Sequence, residues 1–168
     1  VIMYPEARYS LCGTTAVIQK SIAKMAKMLN VPLLTLVCHG HHINSPFWDT
    51  SHERKVSPTE ATYKVLYTKE ELAKASVDEI YDNIIKELQY DDFKWQKDNN
   101  IIVNDPNRAK GLHRVLYQCP HCLKEFRMDS FGSTLKCKSC NKEWEMTELG
   151  ELKAKSGETE FSHIPDWY

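Results

Sequence analysis

Apolar positions along the first third of the chain fall into two unlike patterns. Ile18, Ile22, Met25 and Leu29 recur at spacings of four, three and four, which places them on one stripe and predicts a helix over 14–29. Lys20, Lys24 and Lys27 lie off that stripe. Asn30 and Pro32 are suited to stop the helix. Residues 33–38, Leu-Leu-Thr-Leu-Val-Cys, then form an apolar run without alternation, the pattern of a strand buried on both faces of a parallel sheet. Val1-Ile2-Met3-Tyr4 is apolar and β-prone and ends at Pro5. Strand, helix and strand would make a β-α-β unit with a right-handed crossover. Its two strands would open on one sheet edge carrying residues 4–8 and 39–48, the edge where open α/β sheets bind ligands.

Farther on, a polar loop leads to Tyr63, Val65 and Tyr67, which alternate with Lys64 and Leu66 and predict a strand over 61–67. Thr68 with Glu71, and Ser76 with Glu79, fit capping boxes. They predict helices over 69–75 and 77–89, the second burying Ile80, Ile84, Ile85 and Leu88. Residues 90–114 lack a strong period and read as a connecting segment.

Composition narrows the class. With 42% hydrophobic and 27% charged residues the chain has the profile of a soluble globular protein. The net charge of -1 supplies no overall field for nucleic acid. No stretch approaches the ~20 apolar residues of a membrane-spanning helix. The chain opens on an apolar, β-prone segment without an initiator Met, so it is expected to begin inside a domain, as a piece of a longer protein.

Of the six cysteines, Cys12 and Cys38 stand alone, and the other four form two C-x-x-C pairs, Cys119 with Cys122 and Cys137 with Cys140. Each pair can form a knuckle that points two sulfurs inward, and two knuckles supply the four-thiolate tetrahedron that zinc favours. Iron held as in rubredoxin is the competing metal. A site whose four positions are all protein has no opening for water or substrate, so this one is structural. Gly132 suits a turn between strands near 125–128 and 134–136, and 142–146 offers a third strand. Phe126, Leu135 and Trp144 are the expected core of this small zinc ribbon, which needs its metal to fold. His121 lies inside the first knuckle and reads as an exposed loop residue.

Tyr4-Pro5-Glu6-Ala7-Arg8-Tyr9-Ser10, followed about twenty residues later by Val31-Pro32 and an apolar strand, resembles the third and fourth blocks of the glycerolipid acyltransferases. That third block reads Phe-Pro-Glu-Gly-Thr-Arg-Ser. Pro5, Glu6 and Ser10 match directly, Ala7 replaces the Gly, and Arg8 stands one position early. The resemblance covers roughly residues 1–90. The whole chain also resembles bacterial acyltransferase-like proteins that carry a carboxyl-terminal zinc ribbon. It implies an α/β fold containing part of an acyltransferase-like parallel or mixed sheet, with a small β zinc ribbon appended. It further implies that Glu6 helps place a glycerol backbone and that Arg8 pairs with phosphate. The implied substrates are an acyl thioester (acyl-CoA or acyl-ACP) and lysophosphatidate or a related glycerophosphate, handled in the cytoplasm at the inner face of the membrane. The family's base, the His of a His-x-x-x-x-Asp motif, is absent: none of the seven histidines has Asp five positions on. No catalytic residue is therefore assigned in this chain, and the motif would lie upstream of Val1.

The expected organisation is an acyltransferase-like portion over 1–90, a connecting segment over 91–114, the zinc ribbon over 115–147 and a tail over 148–168 that docks on the body. Cys38-His39-Gly40-His41-His42 admits three readings: a second metal site, the lining of a pocket, or a plain loop. The lysines of the first helix form a solvated face or attract anionic lipid. Phe47 and Trp48 either dip into a membrane interface or cap a core. A rival to the enzymatic reading is a non-catalytic ribbon that recruits a protein or nucleic acid, with Lys136, Lys138 and Lys142 supplying local positive charge.

Overall fold

The computed structural model describes residues 1–50 and 58–168. Most of the polar loop before the strand at 61–67 lies outside the described residues. Among them the fold is mixed α/β, with two antiparallel sheets.

Helix α1 is shorter than its apolar period implies and runs Ser21–Leu29. Asn30 ends it in the left-handed conformation (φ 48°), donating its N–H to the Ala26 carbonyl at 3.2 Å. The buried face is Ala23 and Ala26, whereas Met25 and Leu29 are each 38% exposed. The expected stripe is thus only partly used. Small side chains face the neighbouring elements, and Ile18, although buried, belongs to the segment before the helix.

The parallel β-α-β unit is not formed. Residues 1–4 are not a strand. Strand β1 (Leu33–His39), which leads into the short helix α2 (His41–Asn44), pairs with β2 (Glu60–Tyr67) in antiparallel fashion, Leu36 opposite Tyr63 and Leu34 opposite Val65. An antiparallel partner later in the chain needs only a returning loop, whereas a parallel one needs a crossover onto an existing strand. Nor is β1 buried on both faces. Thr35 points inward and is buried, while Leu34, Leu36, Tyr63 and Val65 share the outer face at 53–75% exposure. Apolar residues on both sides of the strand conceal the period of two in the sequence.

Helices α3 (Lys69–Lys74) and α4 (Val77–Glu87) follow as expected. Thr68 and Glu71 complete a reciprocal capping box, and the Ser76 hydroxyl accepts the Glu79 N–H at 3.1 Å. Ile80 and Ile84 are fully buried and Ile85 only partly. Ile80 and Ile84, with Ala23, Tyr67, Leu72 and Ala75, form one of two hydrophobic cores.

The second core is larger and absorbs the supposed connector. Asp91 caps α5 (Asp92–Asp98) by accepting the Lys94 N–H at 2.9 Å. Phe93, Val103, Ala109 and Leu112 are all buried. The ribbon sheet has the order β3 (Met128–Phe131), β4 (Thr134–Cys137), β5 (Glu143–Met146), β6 (Leu152–Ala154), all antiparallel. It runs past residue 147, where the ribbon was expected to end. Leu135, Trp144 and Leu152 are fully buried within it, but Phe126 is 78% exposed with φ 54°, because the first ribbon strand starts only at Met128. The tail closes with α6 (Ile164–Trp167), docked through Ile164 and through Trp167, whose ring packs edge-on to Trp144 at 5.0 Å.

Candidate metal centre and the histidine loop

The two C-x-x-C pairs fold into the same local structure. In the first, the Cys119 carbonyl accepts the Leu123 N–H (2.9 Å), and the Cys119 N–H donates to the Lys124 carbonyl (3.0 Å). In the second, the Cys137 carbonyl accepts the Asn141 N–H and the Cys137 N–H donates to the Lys142 carbonyl, both at 2.9 Å. In each, the residue after the second cysteine is left-handed: Leu123 at φ 59° and Asn141 at φ 60°. This repeated turn aims two sulfurs per knuckle at a common point.

The four sulfurs lie within 4.8 Å of one another, with Cys119–Cys140 at 3.8 Å and Cys122–Cys137 at 3.7 Å. A tetrahedron with metal–sulfur bonds of about 2.3 Å has edges of about 3.8 Å, so the group fits a zinc-sized ion. As thiols these cysteines differ. Burial pushes Cys119 up to about 12. Burial also pushes Cys137 up, but N–H groups of Cys140 and Ser139 and the neighbouring thiols bring it down to about 7. Metal binding at such a group releases protons.

Asn tolerates the left-handed conformation better than Leu. Leu123→Gly is therefore expected to stabilise the metal-loaded chain by about 0.5–1 kcal/mol, because Leu123 is 69% exposed and loses little packing. A thermal melt showing an unchanged or lower midpoint would count against strain at this turn.

The charges around the ribbon are locally paired. Lys136 meets Glu143 at 2.9 Å, Lys138 meets Asp129 at 2.8 Å, and Lys142 meets Glu160. His121 stands outside the thiolate group, 3.3 Å from Glu160.

At the amino-terminal end, the Glu6 carboxylate accepts the Ala16 N–H at 2.6 Å. Ala7 is left-handed (φ 52°) and donates its N–H to the Tyr4 carbonyl at 3.0 Å. Arg8 is exposed, and among the described residues no ion pair joins it to Glu6. Two of the three lysines reach neighbouring helices: Lys20, just before α1, pairs with Asp78, and Lys27 donates to the carbonyls of Ala73 (3.2 Å) and Ala75.

The histidine loop is organised by a residue that sequence reading passed over. Asp92 is 1% exposed, and its two oxygens separately accept the Gly40 N–H (3.2 Å) and the His42 N–H (3.0 Å). Its own N–H donates to the Gly13 carbonyl at 2.9 Å, and His39 Nδ1 lies 3.5 Å from its Oδ1. Burial raises the Asp92 carboxyl, and the two N–H donors and His39 oppose that rise. The neighbouring Asp91 receives His163 Nε2 at 2.7 Å. In the sequence, Asp91-Asp92 reads as loop polarity; the helix cap is the only local signal of either role.

Three histidines that are close in sequence have separate environments. His39 stacks on Trp95 (centroids 5.5 Å, 10°). His42 meets the edges of Trp48 (5.2 Å) and Phe93 (5.9 Å), and His41 is exposed. Among the described residues only the four cysteines form a metal-sized group, so the second-metal reading of this loop finds no support in geometry. Trp48 is 1% exposed and caps the large core, while Phe47 beside it is 51% exposed. Cys12 is buried, with Sγ 3.3 Å from the Thr14 hydroxyl.

Glu6 and this loop are tied to one segment despite the absence of a parallel sheet: Glu6 accepts the Ala16 N–H, and the nearby Gly13 carbonyl accepts the Asp92 N–H. Tyr90 lies edge-on to His39 at 6.5 Å. Its hydroxyl is raised by burial, lowered by a hydrogen bond with Ser10, and raised again by the charges of Glu6 and Asp92. No helix among the described residues is long and apolar enough to cross a membrane. No protein-family model, no curated protein and no solved structure matches the chain.

Proposed function

We propose that this chain is the carboxyl-terminal portion of an acyltransferase that moves an acyl group from acyl-CoA or acyl-ACP to lysophosphatidate or a related glycerophosphate, in phospholipid synthesis. The supporting observation is the turn at Ala7. Its φ of 52° is the conformation that favours glycine, and Ala7 stands where the resembling acyltransferase block has Gly. A left-handed turn at this position is compatible with a glycine there. Glu6, anchored by the Ala16 N–H, would help place the glycerol backbone. Arg8, exposed beside it, would reach the phosphate, to which a guanidinium offers paired donors.

The chain carries no His-x-x-x-x-Asp base, so the reaction would need residues upstream of Val1, and the chain alone would be inactive. On this reading the protein works in the cytoplasm, touching the inner face of the membrane where its lipid acceptor resides. The four-cysteine group would hold zinc in a structural role; iron would reveal itself by visible absorption of the purified protein.

The test uses the protein extended upstream, assayed for acyl transfer to lysophosphatidate. Glu6→Ala and Arg8→Ala are each expected to lower kcat/KM at least about tenfold, as loss of a charged hydrogen bond to substrate costs about 1.5–3 kcal/mol. Absence of transfer to every lysophospholipid tried would defeat the proposal.

A second reading, a non-catalytic ribbon that binds a protein partner, is favoured by one feature. Phe126 (78% exposed) stacks on Tyr117 (42%), and Leu123 of the first knuckle is exposed as well (69%). The nucleic-acid version is weakened because Lys136, Lys138 and Lys142 all have acidic partners. Binding to nucleic acid that weakens with salt would restore it.

A further inference from the structure

The metal centre and the histidine loop are joined through one hydrophobic core. Buried Cys119 and Cys137 belong to the same cluster as Leu135, Trp144 and Met146, and that cluster continues into Phe93 and Trp48. Trp48 and Phe93 stack on each other (6.2 Å, 5°), and both meet the ring of His42.

Hydrogen bonds tie the same elements together. Gln96 Nε2 donates to the Glu148 carbonyl (3.0 Å), Val103 N–H to Glu148 (2.8 Å), and Ala109 N–H to Gly132 (3.0 Å). The Gly111 N–H donates to the Ser130 hydroxyl at 2.9 Å, and a side chain at Gly111 would sit 2.4 Å from the Trp48 carbonyl oxygen. A side chain at Gly150, just before β6, would meet the Phe93 ring and Gln96 at 2.7 Å. The ribbon is therefore one wall of the pocket of rings that holds the loop. The other core, around Ala23, Leu72, Ile80 and Ile84, shares no member with this cluster.

We propose that metal occupancy of Cys119, Cys122, Cys137 and Cys140 controls the conformation of the histidine loop: with metal bound, residues 39–48 and α5 are held in place, and without it they loosen while α3 and α4 stay folded. The inference rests on the metal reading and is independent of the acyltransferase reading. The two-state element is the ribbon itself, because a sheet this small draws its folding free energy from the metal. Once it unfolds, Trp48 and Phe93 lose one packed side. Coupling of this kind is reciprocal, so a change in the loop must alter metal affinity by the same factor that metal alters the loop.

Amide hydrogen exchange on the full chain, with zinc and after removal of zinc by a chelator, tests the first arm. The N–H groups of Asn44 and Ser45 in the loop and Trp95 in α5 are expected to exchange about tenfold faster or more without zinc, and those of Ile80 and Leu88 at an unchanged rate. Equal exchange of the Asn44 and Ser45 amides in both states overturns the proposal, as does parallel loss of protection at Ile80 and Leu88. The second arm keeps the folded, metal-loaded protein: Trp48→Phe is expected to weaken zinc binding about fivefold or more in competition with a chromogenic chelator. Unaltered zinc affinity, or a wild-type chain that binds no zinc, also overturns it.

Discussion

Replacing Cys137 with serine is expected to lower zinc affinity by more than about a hundredfold and to melt the ribbon at ambient temperature. Loss of an outer-shell contact alone costs a metal site about 10–100-fold, and here a thiolate is lost from a set of four. The free energy of structural zinc binding, about 10–16 kcal/mol in small peptides, is folding free energy in such modules. The ribbon's own apolar core rests on few residues, notably Leu135, Trp144 and Leu152. Zinc content of the purified variant measures the first effect. Near-ultraviolet circular dichroism measures the second, since Trp144 is fully buried against Trp167. A Cys137→Ser protein that keeps one tightly held zinc and the native aromatic signal would remove the metal centre from the account.

Asp92→Ala is the second substitution with a large expected effect, a loss of about 3–5 kcal/mol in chemical denaturation. It leaves the N–H groups of Gly40 and His42 buried without an acceptor and deprives His39 of its carboxylate. Asp92→Asn is expected to cost less, about 1–3 kcal/mol. Its single carbonyl oxygen can serve one of the two N–H donors, and its NH2 must face the other.

The pH dependence has a definite sign. Burial raises the Asp92 carboxyl above its ordinary 3.8, so its contribution is fully present below that value and is lost as pH rises through the raised one. The stability gap between wild type and Asp92→Asn should therefore narrow as pH increases over that range. A gap that widens instead would mean the N–H donors outweigh burial, and equal stability of wild type and Asp92→Ala would exclude a structural role for the carboxylate.

Legibility of the fold followed the range of the interactions. The capping pairs Thr68–Glu71 and Ser76–Glu79 act over three residues, so they marked α3 and α4 correctly. The two C-x-x-C turns are equally local, and the knuckles were readable for the same reason. The alternation at Tyr63, Val65 and Tyr67 marked β2, but nothing in it named the partner strand. The apolar run of β1 misled, because Leu34 and Leu36 face outward where a buried strand was expected. Residues 91–114 lacked a long period and so looked like a connector, yet they supply Phe93, Ala109 and Leu112 to the large core through a short helix and isolated side chains.

By itself, then, the sequence determined the four-thiolate group, the caps of α3 and α4, and the turn residues between the ribbon strands. All of these arise from residues within a few positions of one another, where spacing and side-chain chemistry suffice. Only the tertiary structure decided the antiparallel pairing of β1 with β2, the approach of Asp92 to the histidine loop, and the joining of that loop to the ribbon through Trp48 and Phe93. Asp92 lies 52 residues from Gly40, and the ribbon cysteines lie farther still from Trp48. Contacts across such separations are selected by burial of whole faces and by satisfaction of buried N–H groups, which no short window of sequence encodes.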